Sequence, residues 1–160
     1  MVCKICGLKM RIIAKKKYIY FRCPNCHFYD TKGWENEDFS YEYYEDSDYS
    51  DWMKKEKECE RILAFKFHLL GYKPKSFLDV GCSEGPFVKA YDQITCNKGT
   101  GVEVSEEKVS RGRGKGIDLY TYKSLPNRKY QFILSRHVIE HIENPNAHLE
   151  FMLSHLDRGG

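Results

Sequence analysis

No run of apolar side chains in the 160 residues approaches the roughly 20 that a bilayer-spanning helix needs. The first residues lack the apolar core of a secretory signal. A strong net charge is also missing: 26 Lys and Arg stand against 23 Asp and Glu, a balance of +3. No global field therefore demands a nucleic acid or a membrane as partner. The balance is uneven along the chain. Acidic residues are absent from Lys4 to Arg22, and basic residues are absent from Glu35 to Asp51. Such blocks read as solvated faces, with a basic RNA-binding patch on the first as the alternative. These absences lead to the expectation of a cytoplasmic protein whose thiols stay reduced. The seven cysteines are then metal ligands, catalytic groups or small core residues rather than a disulfide set.

Four of the seven are spaced as Cys3-x-x-Cys6 and Cys23-x-x-Cys26. Each pair puts two thiolates on one tight turn, and two such knuckles complete a tetrahedral four-sulfur shell for Zn2+. Between them, residues 8–14 and 18–22 are β-prone and joined by a turn of Lys15, Lys16 and Lys17. The spacing predicts a zinc ribbon on a β-hairpin over residues 1–33. A closed four-thiolate shell leaves no position for substrate, so the metal is expected to be structural. His27 adjoins Cys26 and is the alternative fourth ligand.

Residues 34–50 are acidic and tyrosine-rich without a clear period, and read as a linker. Residues 51–70 read as a helix with an apolar stripe of Trp52, Cys59, Ile62, Leu63, Leu69 and Leu70, ended by Gly71. The chain then alternates. Strands are predicted at 76–80, 100–104, 117–122 and 130–135. Helices are predicted from Pro86, after Ser105, and from Asn144-Pro145, the last with Leu149, Met152, Leu153 and Leu156 on one face. Strands alternating with helices predict an α/β domain over residues 51–160, with a Rossmann-like, mostly parallel sheet of about four strands.

Gly81-Cys82-Ser83-Glu84-Gly85 spells G-x-S-x-G, which admits two chemistries. In a hydrolase elbow Ser83 is a nucleophile, with Asp118 and His137 available as partners. In a nucleotide-type loop Ser83 is a small spacer between glycines. The elbow needs several earlier strands, and none of that type precedes residue 76. The loop needs an acidic residue about 20 positions on, ending the next strand, and Glu103 stands 22 residues after Gly81. The second reading is preferred.

Over residues 76 to 160 the chain resembles the class I S-adenosylmethionine-dependent methyltransferases. "FLDVGCSEGPF" is similar to their first motif and "GVEVS" to their second. "YQFILSRHVIEHIENP" is similar to their fourth strand and the turn after it, and "LDRGG" to their Leu-x-Pro-Gly-Gly. The resemblance implies an enzyme that binds S-adenosylmethionine through Asp79, Gly81, Cys82, Ser83, Gly85, Phe87, Glu103 and Ser135. Glu103 would hold the ribose hydroxyls, and Asp79 would orient the loop or meet the ammonium. Ser83 stands where the middle glycine is usual, and Gln131 where an aspartate is frequent. His137 would be a general base beside the methyl group. His137 to His141 also spells the H-x-x-E-H of an inverted zinc protease, a motif that needs a helix and a further ligand downstream. Glu140 and His141 match two metal-binding positions of related quinone O-methyltransferases, whereas His137 departs from them. The expected acceptor is a small molecule such as a sugar, a lipid-linked intermediate or a quinone-like compound. RNA gripped by the basic ribbon is the alternative acceptor, and a non-enzymatic interaction protein is a third reading. The family's sheet continues past "LDRGG" with three more strands, so a truncated, catalytically incomplete chain is expected, with the fourth strand as an open edge. No pattern addresses oligomeric state.

Overall fold

A computed structural model describes residues 1–33, 58, 60–71 and 74–159. The linker at 34–50 and the first turns of the helix predicted at 51–70 lie outside the described residues.

The N-terminal module is an antiparallel sheet of β1 (Arg11–Lys15), β2 (Ile19–Arg22) and β3 (Tyr29–Lys32), in that order. The two expected strands are present, and β3 is an addition. Tyr29 to Lys32 is too short and mixed to signal a strand, and pairs with Ile19–Arg22 once the second knuckle reverses the chain. Phe21, Met10, Cys3 and Cys23 form its small core.

Helix α1 covers residues 60–69. Four parallel strands follow: β4 (Ser76–Val80), β5 (Lys98–Val102), β6 (Leu119–Tyr120) and β7 (Phe132–Ser135), ordered β6-β5-β4-β7. Helices α2 (Pro86–Thr95), α3 (Glu106–Gly114) and α4 (Pro145–His155) connect or follow them. This is the parallel α/β sheet anticipated. Strand β6 is two residues long rather than six: the Asp118 carbonyl still accepts the Gly101 N–H at 2.9 Å just ahead of it, and past its end the Thr121 N–H turns to the Ser124 hydroxyl at 3.0 Å. Strand β5 begins two residues earlier than expected, and Tyr130 forms an isolated bridge to Leu156 ahead of β7.

Strand alternation sorts the core into two layers. Phe77 and Phe132 pack against α1 and α2, with Phe87, Tyr91, Leu63 and Phe67. Leu78, Val80, Val102 and Ile133 face the other way, toward Phe151 and Met152 of α4. Gly101 has no side chain because a Cβ there would lie 2.5 Å from the Cys82 sulfur.

Two helix faces differ from expectation. In α1 the inward positions are Glu60, Leu63, Ala64 and Phe67, at helical spacing, while Ile62, Leu69 and Leu70 are exposed. In α4 the buried residues are Pro145 and His148, with Phe151 and Met152 packed on the core, while Leu149 and Leu153 are exposed. In both helices the apolar residues outnumber the positions the sheet can cover, so counting them does not select the face. Among the described residues no helix is long and apolar enough to cross a membrane.

Candidate functional site

The C-terminal ends of β4, β5 and β7 meet at one edge of the sheet. There the chain leaves β4 through Gly81 to Gly85 and enters α2. Gly81 and Cys82 both donate their N–H to the Val102 carbonyl, at 2.8 and 3.2 Å, so the loop folds back over β5. Gly81 has φ +78, and a Cβ there would meet Val138 Cγ2 at 2.2 Å. Only glycine allows the turn after β7 to approach the loop so closely. Ser83 also adopts a left-handed backbone, φ 52, at a position where glycine would be unstrained. Gly85 caps α2 with φ 79 and supplies no side-chain acceptor, and Pro86 opens the helix. The first turn of α2 thus carries N–H groups without a capping side chain at its electropositive end.

Glu103 follows β5 and is buried at 8% exposure. Its Oε2 accepts the Ser83 N–H at 2.9 Å. Its Oε1 accepts from Val104 and Ser105 at 2.9 and 3.1 Å. The carboxylate therefore closes the loop onto the second strand. Ser105 then caps α3, accepting from the Lys108 N–H at 3.3 Å.

Asp79 is buried on the same face of the sheet as Phe77. Burial pushes its carboxyl up to about 7, with Glu60 and Glu103 adding to the rise and Arg136 opposing it. Arg136 follows β7 by one residue. Its Nη2 donates to Glu60 Oε2 of α1 at 2.5 Å, and its guanidinium lies 4.9 Å above the Phe87 ring. Neither Glu60 nor Arg136 was expected from the sequence. A signal for Glu60 does exist: it is the one carboxylate on the Leu63–Ala64–Phe67 face of α1.

The remaining candidates divide. Cys82 points its sulfur into the core, so it offers the loop only its peptide group; burial raises its thiol pKa, and the charges of Asp79 and Glu103 raise it further. Phe87 is a core residue with one face under Arg136. The Ser135 hydroxyl is engaged with His148 Nε2 at 3.0 Å, and burial lowers the His148 pKa, favouring the neutral ring. His137 lies at the rim with φ 53 and a side chain 88% exposed, 3.6 Å from Glu140. The turn from Ile139 to His141 is a single 3-10 turn. It is not the helix an H-x-x-E-H metal site requires. Asp118 pairs with Thr100 and Arg128, at 3.0 and 2.9 Å, and His137 lies against Glu140, so the two are engaged elsewhere rather than with each other as a hydrolase triad requires.

The four knuckle cysteines do come together. All four sulfurs lie within 4.8 Å of one another, with Cys3–Cys26 at 3.5 Å and Cys6–Cys23 at 3.4 Å. Tetrahedral Zn–S bonds of about 2.3 Å would put sulfurs roughly 3.8 Å apart, so the donor set fits zinc. The Leu8 N–H lowers Cys6 to about 6. The Phe28 N–H pulls Cys26 down, but burial and the other three sulfurs drive it up to about 12. Four crowded thiols cannot all ionise without a cation to share. His27 bonds instead to Arg22, at 2.7 Å, and Cys26 takes the fourth position. Among the described residues this is the only cluster of three or more potential metal-ligating side chains.

A family model described as "Methyltransferase domain" matches residues 51–160. No curated protein matches the sequence. Among solved structures, DesVI of Streptomyces venezuelae superposes with a TM-score of 0.59 at 18% identity, over 70% of this chain and 52% of that one. Coclaurine N-methyltransferase bound to N-methylheliamine and SAH gives 0.54 at 17%, over 63% and 34%. The plantazolicin methyltransferase BpumL, with a triazolic desmethylPZN analog and SAH, gives 0.54 at 25%, over 72% and 51%. The chain thus spans about half or less of each of these structures.

Proposed function

The chain belongs to the methyltransferase-domain family, and from that premise we propose that it transfers a methyl group from S-adenosylmethionine to a small-molecule acceptor. The observation that carries this reading is the Glu103–Ser83 closure: a buried carboxylate at the tip of β5, tied to a glycine-flanked loop at the tip of β4. Two of the structural neighbours hold SAH, the demethylated form of that donor. They also hold small-molecule or azole ligands, which supports a compact acceptor over a polymer.

The residues present suit the donor. Its sulfonium and ammonium are cationic, and Asp79 feels two neighbouring carboxylates, Glu60 and Glu103, against one guanidinium, Arg136. The loop from Gly81 to Gly85, with Cys82 and Ser83 between, lets peptide groups approach a ligand closely. Glu103 holds the ribose, sharing its lone pairs between the hydroxyls and the loop N–H groups. Phe87 and Ser135 line the site from below and beside it.

When bound, the cofactor supplies an already activated methyl group. The protein's task is therefore orientation of the acceptor and exclusion of water, which can account for several kcal/mol of the barrier. His137, at the open rim, is the candidate base that takes the acceptor proton. Glu140 Oε1 lies 3.6 Å from its Nδ1. In the N-terminal module Cys3, Cys6, Cys23 and Cys26 hold a structural zinc ion.

Calorimetric titration of S-adenosylmethionine and SAH tests the reading. Binding that is lost in Glu103→Ala supports it. Equal, negligible binding by both proteins overturns it. RNA as acceptor would appear as polyanion binding that falls steeply between 50 and 200 mM salt.

A further inference from the structure

The turn between Cys3 and Cys6 closes on itself through its ends. The Gly7 N–H donates to the Cys3 carbonyl at 3.0 Å, and the Cys3 N–H to the Leu8 carbonyl at 2.8 Å. The Lys4 and Ile5 carbonyls between the two thiols are taken by a side chain far away in the sequence. Asn146 Nδ2 donates to them, at 2.8 and 3.4 Å. Asn146 is the second residue of α4. Asparagine near a helix start is ordinarily a cap. Here Asn144 already fills that role, accepting the Ala147 N–H on its side chain at 3.2 Å and the His148 N–H on its carbonyl at 3.3 Å. Capping therefore does not account for Asn146, whose amide is committed to the other module. The same turn of α4 carries the buried His148, which bonds the Ser135 hydroxyl at 3.0 Å. Ser135 ends β7 and precedes the rim turn that bears His137. Bonded groups thus run without a break from the first cysteine knuckle, through Asn146 and one turn of α4, to the tip of β7.

We propose that Asn146 seats the first knuckle on α4, so that a metal held by Cys3, Cys6, Cys23 and Cys26 fixes the start of that helix and, through His148 and Ser135, the tip of β7. The proposal rests on the zinc reading of the four thiols. It makes the ribbon a brace for the rim of the site rather than an independent appendage. The physical reason is that four sulfurs sharing one ion hold their turns in a single conformation. The Lys4 and Ile5 carbonyls are then fixed acceptors. Without the ion the turn has no such constraint, and the Asn146 amide loses the partners that anchor it. The knuckle is the two-state element, and the bonded path carries its state to β7. Asn146 is a positioning residue, since it meets neither the metal nor the cofactor. The loop of Gly81–Gly85 is tied separately, through Glu103 on the far side of β4, so SAH binding does not depend on this brace.

The test is amide exchange of the full chain, loaded with zinc and after a chelator has removed it. The Ala147 and His148 amides are expected to exchange at least fivefold faster without zinc, and the Lys89 amide of α2 to change less than twofold. Asn146→Asp is the discriminating variant. It keeps the side-chain size and adds an acid, which the first turn of a helix favours. It has no N–H to donate, and sets a carboxylate against two carbonyls. It is expected to bind one zinc, to show the fast exchange at Ala147 and His148 already in the loaded state, and to show no further rise when zinc is removed. A role confined to helix stability would leave Asn146→Asp as protected as the wild type. Asn146→Ala carries the same expectation for the zinc response and serves if Asn146→Asp does not fold. Equal exchange with and without zinc in the wild type, or a zinc response that survives in the variant, would overturn the proposal while leaving the zinc reading intact. A wild-type chain that retains no zinc would overturn both.

Discussion

The Ser83 N–H donates to Glu103 Oε2 at 2.9 Å, joining the loop after the first parallel strand to the tip of the second. That bond explains how a serine can occupy a left-handed position otherwise suited to glycine. The strain of φ 52 is offset by a charge-assisted bond to a buried carboxylate. It also makes Glu103 responsible for loop shape, in addition to the ribose contact proposed above. Glu103→Ala is expected to lower SAH affinity by about 10- to 100-fold, the equivalent of losing one or two bonds to a charged group. Amide exchange at Ser83, Val104 and Ser105 should accelerate in the same variant. A Glu103→Ala protein that loses affinity with unchanged exchange would show that the closure is incidental.

Gly81 and Val138 form a second testable pair. Gly81→Ala adds a Cβ within 2.2 Å of Val138 Cγ2 and forces a positive φ on an L-residue. A loss of about 2 to 4 kcal/mol is expected from overpacking plus backbone strain. Val138→Ala in the same chain should restore the packing part and leave about 1 kcal/mol of strain, measured by urea denaturation of the two single variants and the double variant.

Asp79 makes stability depend on pH in an unusual direction. Its carboxyl is raised from 3.8 to about 7, so between those values the folded state binds more protons than the unfolded state. Stability then falls as pH rises through this window. Asp79→Asn should flatten the decline and leave the protein more stable than wild type at pH 8. Cofactor affinity should move oppositely. A cationic ligand favours the ionised carboxylate, so wild-type affinity for S-adenosylmethionine should rise from pH 6 to 8, and Asp79→Asn should not follow. A flat pH–stability profile in the ligand-free wild type would count against a buried Asp79.

The cysteine cluster predicts one zinc per chain by elemental analysis, with cobalt substitution giving the charge-transfer bands of a four-thiolate site. Cys23→Ser should lose the metal and deprotect the amides of β1, β2 and β3, because this small core is built around Cys3 and Cys23. SAH binding should persist, since Gly81–Gly85 and Glu103 belong to the other sheet. Loss of SAH binding on metal removal would show that the two modules depend on each other.

Much of this protein is legible from local pattern. The paired C-x-x-C spacing located the sulfur cluster because tight turns hold their thiols together whatever follows. The start of α2 at Pro86, the Ser105 cap and Glu103 at a strand tip are local signals of the same kind. What was not legible is relational. Ile62 and Leu69 look like core residues, yet the sheet covers the face bearing Glu60 and Ala64. Cys82 reads as a loop residue, but its sulfur fills the space over Gly101. Arg136 carries no signal at all until Glu60, distant in sequence, arrives beside it.

The residue order alone determined the parallel α/β alternation, the four thiols and the acidic tips of the first two parallel strands, because turn chemistry, capping and side-chain period act over a few residues. Only the tertiary structure decided which helix faces the sheet buries, that Ser83 closes onto Glu103, and that a guanidinium, two glutamates and an aspartate share one end of the sheet. Those outcomes depend on long-range packing and on charge burial, which no short window of sequence contains.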